Sequence, residues 1–556
     1  MRFYKLRVTT NAANIASTFN EQFKPEIIPE NVDPFRVNWI TTPSKEDYLV
    51  GEKALHLSNP VELGYVLKWP IYGGNFNTRD YATNQLILSD IEDIIRTILR
   101  EKLDIPERAY KEYSVVLVIP DFYDRFYVQN MVRTLLVAMG FKQLCVQQES
   151  LAATYGAGIS NGCVVDMGAV TTSIACVDDG LVIHDTRMIL NMGGDDITEF
   201  LYVLLQKINF PYRELDLARA YDWNVIEDLK GRLCTLAEGD VALNLYDFVV
   251  RRPGKPTEKY GLRAYDETIL APMCLFEPRV IEFDQKRAGC RPFSLPDVTD
   301  EIVEQTADHV TQAMMISTQH LLPSAIPIPT VVPELPPVAQ IEAAGVGEPS
   351  TNGVAPEPVP MDPAADPAPA PLPDAMDITM DSVELKEDTA PVTSTESAAA
   401  GAAPIEVIDV DDGDVKPVIT AASSEPQIFQ IPVQLPQHHQ SYPGGFAIDV
   451  CFEASKLPLD VAIFNSARAA GGDEKIRKYL QAVLITGGSA LVPGMAHALE
   501  SRLQAIATPL VPNMEKVQII PPPKDVDPRA LAWKGAAVLG KMDGVSDLWI
   551  TAADWV

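Results

Sequence analysis

Apolar and polar positions alternate along this chain in two rhythms. From Tyr81 to Lys102 the run YATNQLILSDIEDIIRTILREK sets Ile91, Ile94, Ile95, Ile98 and Leu99 at helical spacing, with Ser89 as the expected N-cap. Tyr113-SVVLVIP-Asp121 is a continuous apolar strand stopped by Pro120. A helix from Arg125 to Met139 ends at Gly140, and Gln143 to Gln148 is the next strand. Strands apolar on both faces, alternating with helices, predict an α/β fold around a buried sheet.

The stretch QQESLAATYGAGISNGCVVDMGAVTT, Gln147 to Thr172, continues the pattern as helix, loop, apolar strand and a tight Asp166-x-Gly168 turn. Such a turn brings a carboxylate and bare backbone N–H groups to one point, where a metal-bound phosphate can sit. Next, Thr172 to Val177 and Leu181 to Thr186 flank Asp179-Gly180, a two-residue hairpin signal. NMGGDDITEFLYVLLQKI opens a helix with Asp195, Asp196 and Thr198 near its start, and Val225 to Leu236 is a further helix. Far downstream, Ala482 to Ile485 is apolar and runs into a second glycine turn, TGGSALVPG, Thr486 to Gly494. One turn suits phosphate and the other adenosine.

Composition breaks this picture in one place. The chain has 45 prolines and a net charge of -31, both concentrated between Leu321 and Gln430, where about 19 prolines and 19 acids stand against only Lys386 and Lys416. That is the composition of a disordered insertion, and the α/β pattern resumes at Phe446-AIDVCFEA. Loop-closure entropy grows only logarithmically with length, so the fold tolerates it. The remainder stays acidic, so bulk charge supplies no DNA-binding surface. Seven cysteines, at 145, 163, 176, 234, 274, 290 and 451, form no CxxC pair, which predicts reduced thiols and no structural zinc. Cys163, Cys176 and Cys234 are expected as packed core thiols, and Trp533, Trp549 and Trp555 as core or subunit-contact residues. MRFYKLRVTT has no apolar leader, and no window reaches the ~18 apolar residues of a membrane span; a soluble, unsecreted protein is expected. Within the insertion, Ile405-Glu406-Val407-Ile408-Asp409 followed by Asp411, Asp412 and Asp414 looks like a SUMO-interacting motif, an extended β-branched core that a partner's sheet edge can recruit.

In order and spacing these elements resemble the actin family, over roughly Met1 to His320 and Gly444 to Val556. Within it they look most like a nuclear actin-related subunit of the INO-eighty type of chromatin remodeller. The blocks that carry the finer likeness are MRFYKLRV, EIIPENVDPFRVNWI, EDYLVGEKAL, VIPDFYD, QESLAATYGAG, NFPYREL and DLWITAADW. The resemblance implies an actin-like fold of two related ribonuclease-H-like halves. It places a first half at 1–157, the start of the second at 158–284, a largely disordered acidic insertion at 285–443, and the rest of the second half with a return to the first at 444–556. It also implies ATP with Mg or Ca in the cleft between the halves. Asp166, holding the metal through water, and Gly168 match the second phosphate loop. Gly193, Gly194 and Asp195 match the glycine-aspartate turn beside the nucleotide, Lys230 the lysine near base and ribose, and Gly487, Gly488, Leu491 and Val492 the adenosine motif. Arg529 completes the expected cofactor-binding set.

The departures fall on the phosphates. The family's first phosphate hairpin would precede residue 1, and its loss would remove about half of the phosphate cradle and expose strand edges. Ala169 and Val170 stand where actin has Asp and Gly, Gly231 replaces a ribose-contacting glutamate, and Glu149 stands at the glutamine that orients the attacking water. A carboxylate there is able to act as a base. Phosphoryl transfer, however, depends mainly on positioning and electrostatic stabilisation, so a weak or inactive ATPase with a structural nucleotide is expected. The expected function is a non-polymerising scaffold in the nucleus that helps a remodeller engage nucleosomal or linker DNA, with roles in transcription regulation and DNA repair. Its expected partners are nuclear actin, another actin-related protein, a helical segment of the motor subunit, DNA indirectly, and SUMO. The alternatives are an active actin-fold ATPase or sugar-kinase relative, and a polymerising actin, whose lateral surfaces the acidic insertion would crowd.

Overall fold

Strand register organises the molecule. The computed structural model describes residues 11–43, 45–237, 244–288, 310–322 and 446–555. The SUMO-like motif and most of the acidic insertion lie outside the described residues.

A helix Ala12–Gln22 is followed by a short strand, β1 (Glu26–Ile28), that pairs far from its sequence neighbours. Next comes a small hairpin of β2 (Ile71–Tyr72) and β3 (Asn75–Phe76). The helix Asn84–Lys102 begins earlier than its apolar spacing suggested: Thr83, in extended conformation, stands at the N-cap, and the expected cap Ser89 lies inside the helix. Ile87, buried one turn ahead of Ile91, explains the earlier start. β4 (Ser114–Ile119) and β5 (Gln143–Gln148) pair in parallel. Among the described residues β4 has no second partner strand, whereas Leu144 of β5 exchanges backbone bonds of 2.8 and 2.9 Å with Ile550. The C-terminal segment thus returns to the first half.

The second half is built on β6 (Gly162–Met167), β7 (Thr172–Asp178), β8 (Leu181–Val182) and β9 (Met188–Leu190). Asp179 and Gly180, at φ 44° and 84°, make the two-residue turn between β7 and β8. β10 (Leu245–Val250) and β11 (Thr257–Arg263) form a separate antiparallel pair, and β1 adds to β11 as its third strand. β12 (Val483–Thr486) lies parallel to β6, with β13 (Ile519–Ile520) beyond it, giving the sheet order β13-β12-β6-β7-β8 with β9 also on β7. Helices Gly194–Lys207, Ala220–Leu233, Leu459–Ala469 and Met495–Leu510 belong to the main core cluster with this sheet. Both faces of β6 are covered, which is why it reads as an unbroken apolar run.

Part of the span assigned to the insertion is folded. Helix Gln312–Thr318 buries Ala313, Met314, Ser317 and Thr318 against Leu459–Ala469, where Asn465 donates to Ser317 Oγ at 2.9 Å. Thr311 caps the helix start and donates to the Arg187 carbonyl at 2.7 Å. Composition shifts only after this helix, so its apolar face was hidden beside a longer biased segment.

Two of the contacts that tie the halves together stand out. Helix Glu149–Ala157 crosses helix Leu531–Leu539 so closely that a Cβ on Gly535 would stand 1.7 Å from the Ala152 carbonyl oxygen. The N-terminal segment is the second tie. Asn20, almost fully buried, donates to the carbonyls of Ile208 (2.9 Å) and Arg263 (3.0 Å), fixing its helix to the second half. Asp33 pairs with Arg251, and Trp39 packs edge-on between Tyr221 and His56. Ile40 then exchanges backbone bonds with His56 and Ser58 on the first-half side.

Candidate nucleotide site

The two glycine turns meet because their strands end in register. Asp166 at the end of β6 pairs with Thr486 at the end of β12, so Gly487 follows directly beside Asp166. The approach is so close that a Cβ on Gly487 would lie 2.4 Å from the Met167 carbonyl oxygen and 2.6 Å from Asp166 Oδ1. Gly487 also has φ 89°, a conformation that favours glycine. Its N–H donates to the Pro528 carbonyl at 3.2 Å.

The Gly193-Gly194 turn supports the first turn from the other side. Gly194 N–H donates to the Gly168 carbonyl (2.9 Å), Asp195 N–H donates to that of Ala169 (2.8 Å), and Gly193 N–H donates to the Asp196 carboxylate (2.8 Å). These are the first donors of helix Gly194–Lys207, and the protein itself uses them. Asp196 is fixed by Lys286, which also donates to the Asn191 carbonyl at 2.9 Å. Lys230 donates to the Gly194 carbonyl at 3.1 Å, and a Cβ on Gly194 would sit 3.1 Å from Ser489 Oγ. Asp166, Gly168, Gly193, Gly194, Asp195, Lys230 and Gly487 are therefore brought together. Gly488 and Leu491 follow on the exposed side of the second turn, with Val492 half-buried beyond them. Arg529 joins only through its neighbour Pro528, since its own guanidinium is held by Asp527.

A carboxylate cluster lies beneath. Glu149, the first residue of its helix, hydrogen-bonds with Ser173 Oγ at 2.6 Å and accepts a longer bond from Asp121 N–H at 3.4 Å. Asp121 accepts from Ser150 N–H (3.2 Å) and from the Ser150 hydroxyl, and its carbonyl accepts from Arg187 at 2.9 Å. Burial pushes Asp121 and Asp166 up to about 6, the Asp166 charge adding to the shift at Asp121. Burial, reinforced by the charges of Asp121 and Asp166, pushes Glu149 up to about 8. Three carboxylates gathered in this way repel one another, but among the described residues no group of three or more His, Cys, Asp or Glu side chains is placed to ligate a metal directly. Beside the turn, Gly73, Asn75, Val170, Thr171 and Asn191 line a cavity of about 560 Å³ between the β2–β3 hairpin and β9.

Asp121, Ser150, Ser173, Arg187 and Ser489 were not among the residues singled out in the sequence. Asp121 alone carried a signal, as the polar residue straight after a strand-ending proline.

A family model described as actin matches residues 41–317 and 458–556. The chain belongs to the actin family. Among proteins of this family it is similar to the probable actin-related protein 8 of Schizosaccharomyces pombe, at 29% identity over 100% of this chain and 71% of that one. It is 30% identical to actin-related protein 8 of Homo sapiens over 97% of this chain and 76% of the human protein, and 30% identical to that of Danio rerio over 99% and 77%. A solved structure of human actin-related protein Arp8 in its ATP-bound state overlays with a TM-score of 0.63 at 25% identity, covering 98% of this chain and 77% of that one. The actin-family fold expected from the sequence is the fold found. Among the described residues no helix is long and apolar enough to cross a membrane.

Proposed function

We propose that this chain is a non-polymerising actin-family scaffold subunit of a nuclear, ATP-dependent chromatin-remodelling complex, in which nucleotide has a structural role. The likeness to actin-related protein 8 of fungi and vertebrates supports the placement, and the ATP-bound human relative supports an adenine nucleotide. In this reading Asp166 holds the metal through its water shell, the turns at Gly168 and Gly487 face phosphate and adenosine, and Lys230 lies at the ribose side. A bound metal–nucleotide would supply counter-charge to the three carboxylates.

The observation that carries the reading against turnover is Glu149. It stands where attacking water would be oriented, yet its carboxyl is buried and already accepts from Ser173 Oγ at 2.6 Å and from Asp121 N–H at 3.4 Å, so it is poorly placed to orient water or take its proton. Actin, a second actin-related protein and a helix of the motor subunit are the proposed partners, with DNA engaged through them and SUMO through Ile405, Val407 and Ile408.

The test is to release small molecules from the purified protein by denaturation, identify them by chromatography, and assay phosphate release in parallel. Bound ATP or ADP without sustained release is expected. Sustained release would put the active-ATPase reading ahead. For the SUMO contact, isotope-edited titration should shift the Val407 and Ile408 resonances, and unmoved resonances at millimolar SUMO would end that part.

A further inference from the structure

β6 and β7 place two cysteines directly opposite each other. Cys163 and Cys176 are register partners in the antiparallel ladder. They belong to the class of pair that exchanges no backbone hydrogen bonds. Cys176 N–H donates to Thr186 Oγ1 at 2.9 Å and its carbonyl accepts from Ile183 at 2.8 Å, both away from β6. Cys163 N–H donates to the Ala482 carbonyl at 2.9 Å, away from β7. Opposed residues of this class have Cα atoms about 4.5 Å apart and their side chains closest, which falls within the roughly 4.4–6.8 Å that a disulfide requires. Cys163 and Cys176 are both fully buried on the same face of the ladder, facing each other across it. Ser466 Oγ lies 3.9 Å from the Cys176 sulfur, closing the pair from the helix above.

We propose that Cys163 and Cys176 are a modification site: a dithiol that closes into a reversible cross-strand disulfide. With a peroxide as oxidant, one thiol first gives its proton to solvent; its thiolate attacks the O–O bond, giving a sulfenic acid and hydroxide, which the released proton converts to water. The second thiol then displaces the sulfenic oxygen as a second water, and the S–S bond forms. Two thiols lose two protons and two electrons, which reduce the peroxide to water, and a dithiol reductant reverses the step. The register sets the pair at the spacing a disulfide uses, but both residues are fully buried, so oxidant reaches them only when the β6–β7 ladder opens.

The position gives the bond a consequence. The same two strands pair Asp166 with Ser173, the residues that face the nucleotide turn and Glu149. A covalent rung between Cys163 and Cys176 holds that row closed from below. Amide exchange at Val164 to Asp166 and Ser173 to Ala175 is expected to slow roughly tenfold or more in the oxidised protein.

The experiment treats the full chain with hydrogen peroxide in sub-denaturing urea, which allows the ladder to open. It then denatures, alkylates and maps the peptides by mass. The expected result is a reductant-sensitive cross-link between the Cys163 and Cys176 peptides, with two fewer alkyl groups than the seven of the reduced chain. A C176S variant is expected to lose the cross-link and carry a trapped oxidised Cys163. If that variant does not fold, the wild-type map decides alone. Full alkylation of both cysteines after treatment, sulfinic acid on either without a cross-link, or a cross-link to another cysteine would overturn the proposal.

Discussion

Asp33 and Arg251 face each other in two parallel hydrogen bonds of 2.7 Å, although 218 positions separate them in the chain. Thr257 donates a third bond to the same carboxylate at 3.2 Å. The Arg251 hydrogen bond outweighs the burial penalty and holds Asp33 down to about 2. This pair fastens the N-terminal segment to the second half before the segment crosses to the first.

Replacing Asp33 with Asn removes the charge and keeps the shape. A loss of about 2 kcal/mol is expected, the scale of hydrogen bonds to a charged group. The pair's contribution is fully present above the ordinary aspartate range and is lost as pH falls through about 2, because the folded pKa is depressed. Urea denaturation of wild type and D33N should therefore differ at pH 7 and converge towards pH 2. The looser segment should also speed nucleotide exchange, read with a fluorescent ATP analogue.

Glu149 carries the opposite sign. Its folded pKa is raised from 4.5 to about 8, so ionisation in the unfolded chain costs the fold stability as pH rises between those values. Glu149→Gln, which never ionises, should gain on wild type progressively across that window in thermal melts and level off above it. A difference that is flat with pH would show that the carboxyl is ionised throughout.

Gly487→Ala puts a methyl group into the Met167 carbonyl and the Asp166 carboxylate at a backbone conformation that alanine avoids. Strain of about 1–3 kcal/mol is expected, and the displaced turn should release bound nucleotide on purification. Gly544→Ala, which meets nothing within 4 Å and is not among the nucleotide-binding residues, should retain it.

Gly535→Ala tests the helix crossing. The methyl group would overlap the Ala152 backbone, which cannot give way as a side chain can, so helix Leu531–Leu539 must move off Glu149–Ala157. Severe destabilisation is expected in calorimetry. Gly231→Ala, with open space around it, serves as the matched control.

The sheet and its two glycine turns were legible because each is written in a few consecutive residues: an apolar run, then Asp-x-Gly or Gly-Gly. Their meeting depends on the register of β6 with β12, which no local pattern encodes. Asp121 and Ser173 were missed for the same reason, since each becomes part of the site only when a strand end is packed against a helix start. The N-terminal tie escaped notice because β1 is three residues long and takes its regularity from β11. Cys163, Cys176 and Cys234 are buried as expected, and Trp533, at 72% exposure, lies outside the core, on the surface where a subunit contact would form. With Val526, Ala537 and Lys541 it lines a surface cavity of about 400 Å³.

The pairing of β6 with β12 also sets a timetable. During synthesis β6 and β7 leave the ribosome early, but the strand that covers the other edge of β6 follows only after the whole proline-rich insertion has been made. Until then the Asp166 turn lacks its Gly487 neighbour, and a largely apolar strand has an unpaired edge, the kind of surface that associates with other chains. The length of the insertion, which costs the finished fold little, is therefore a delay in which the nascent protein depends on whatever shields that edge.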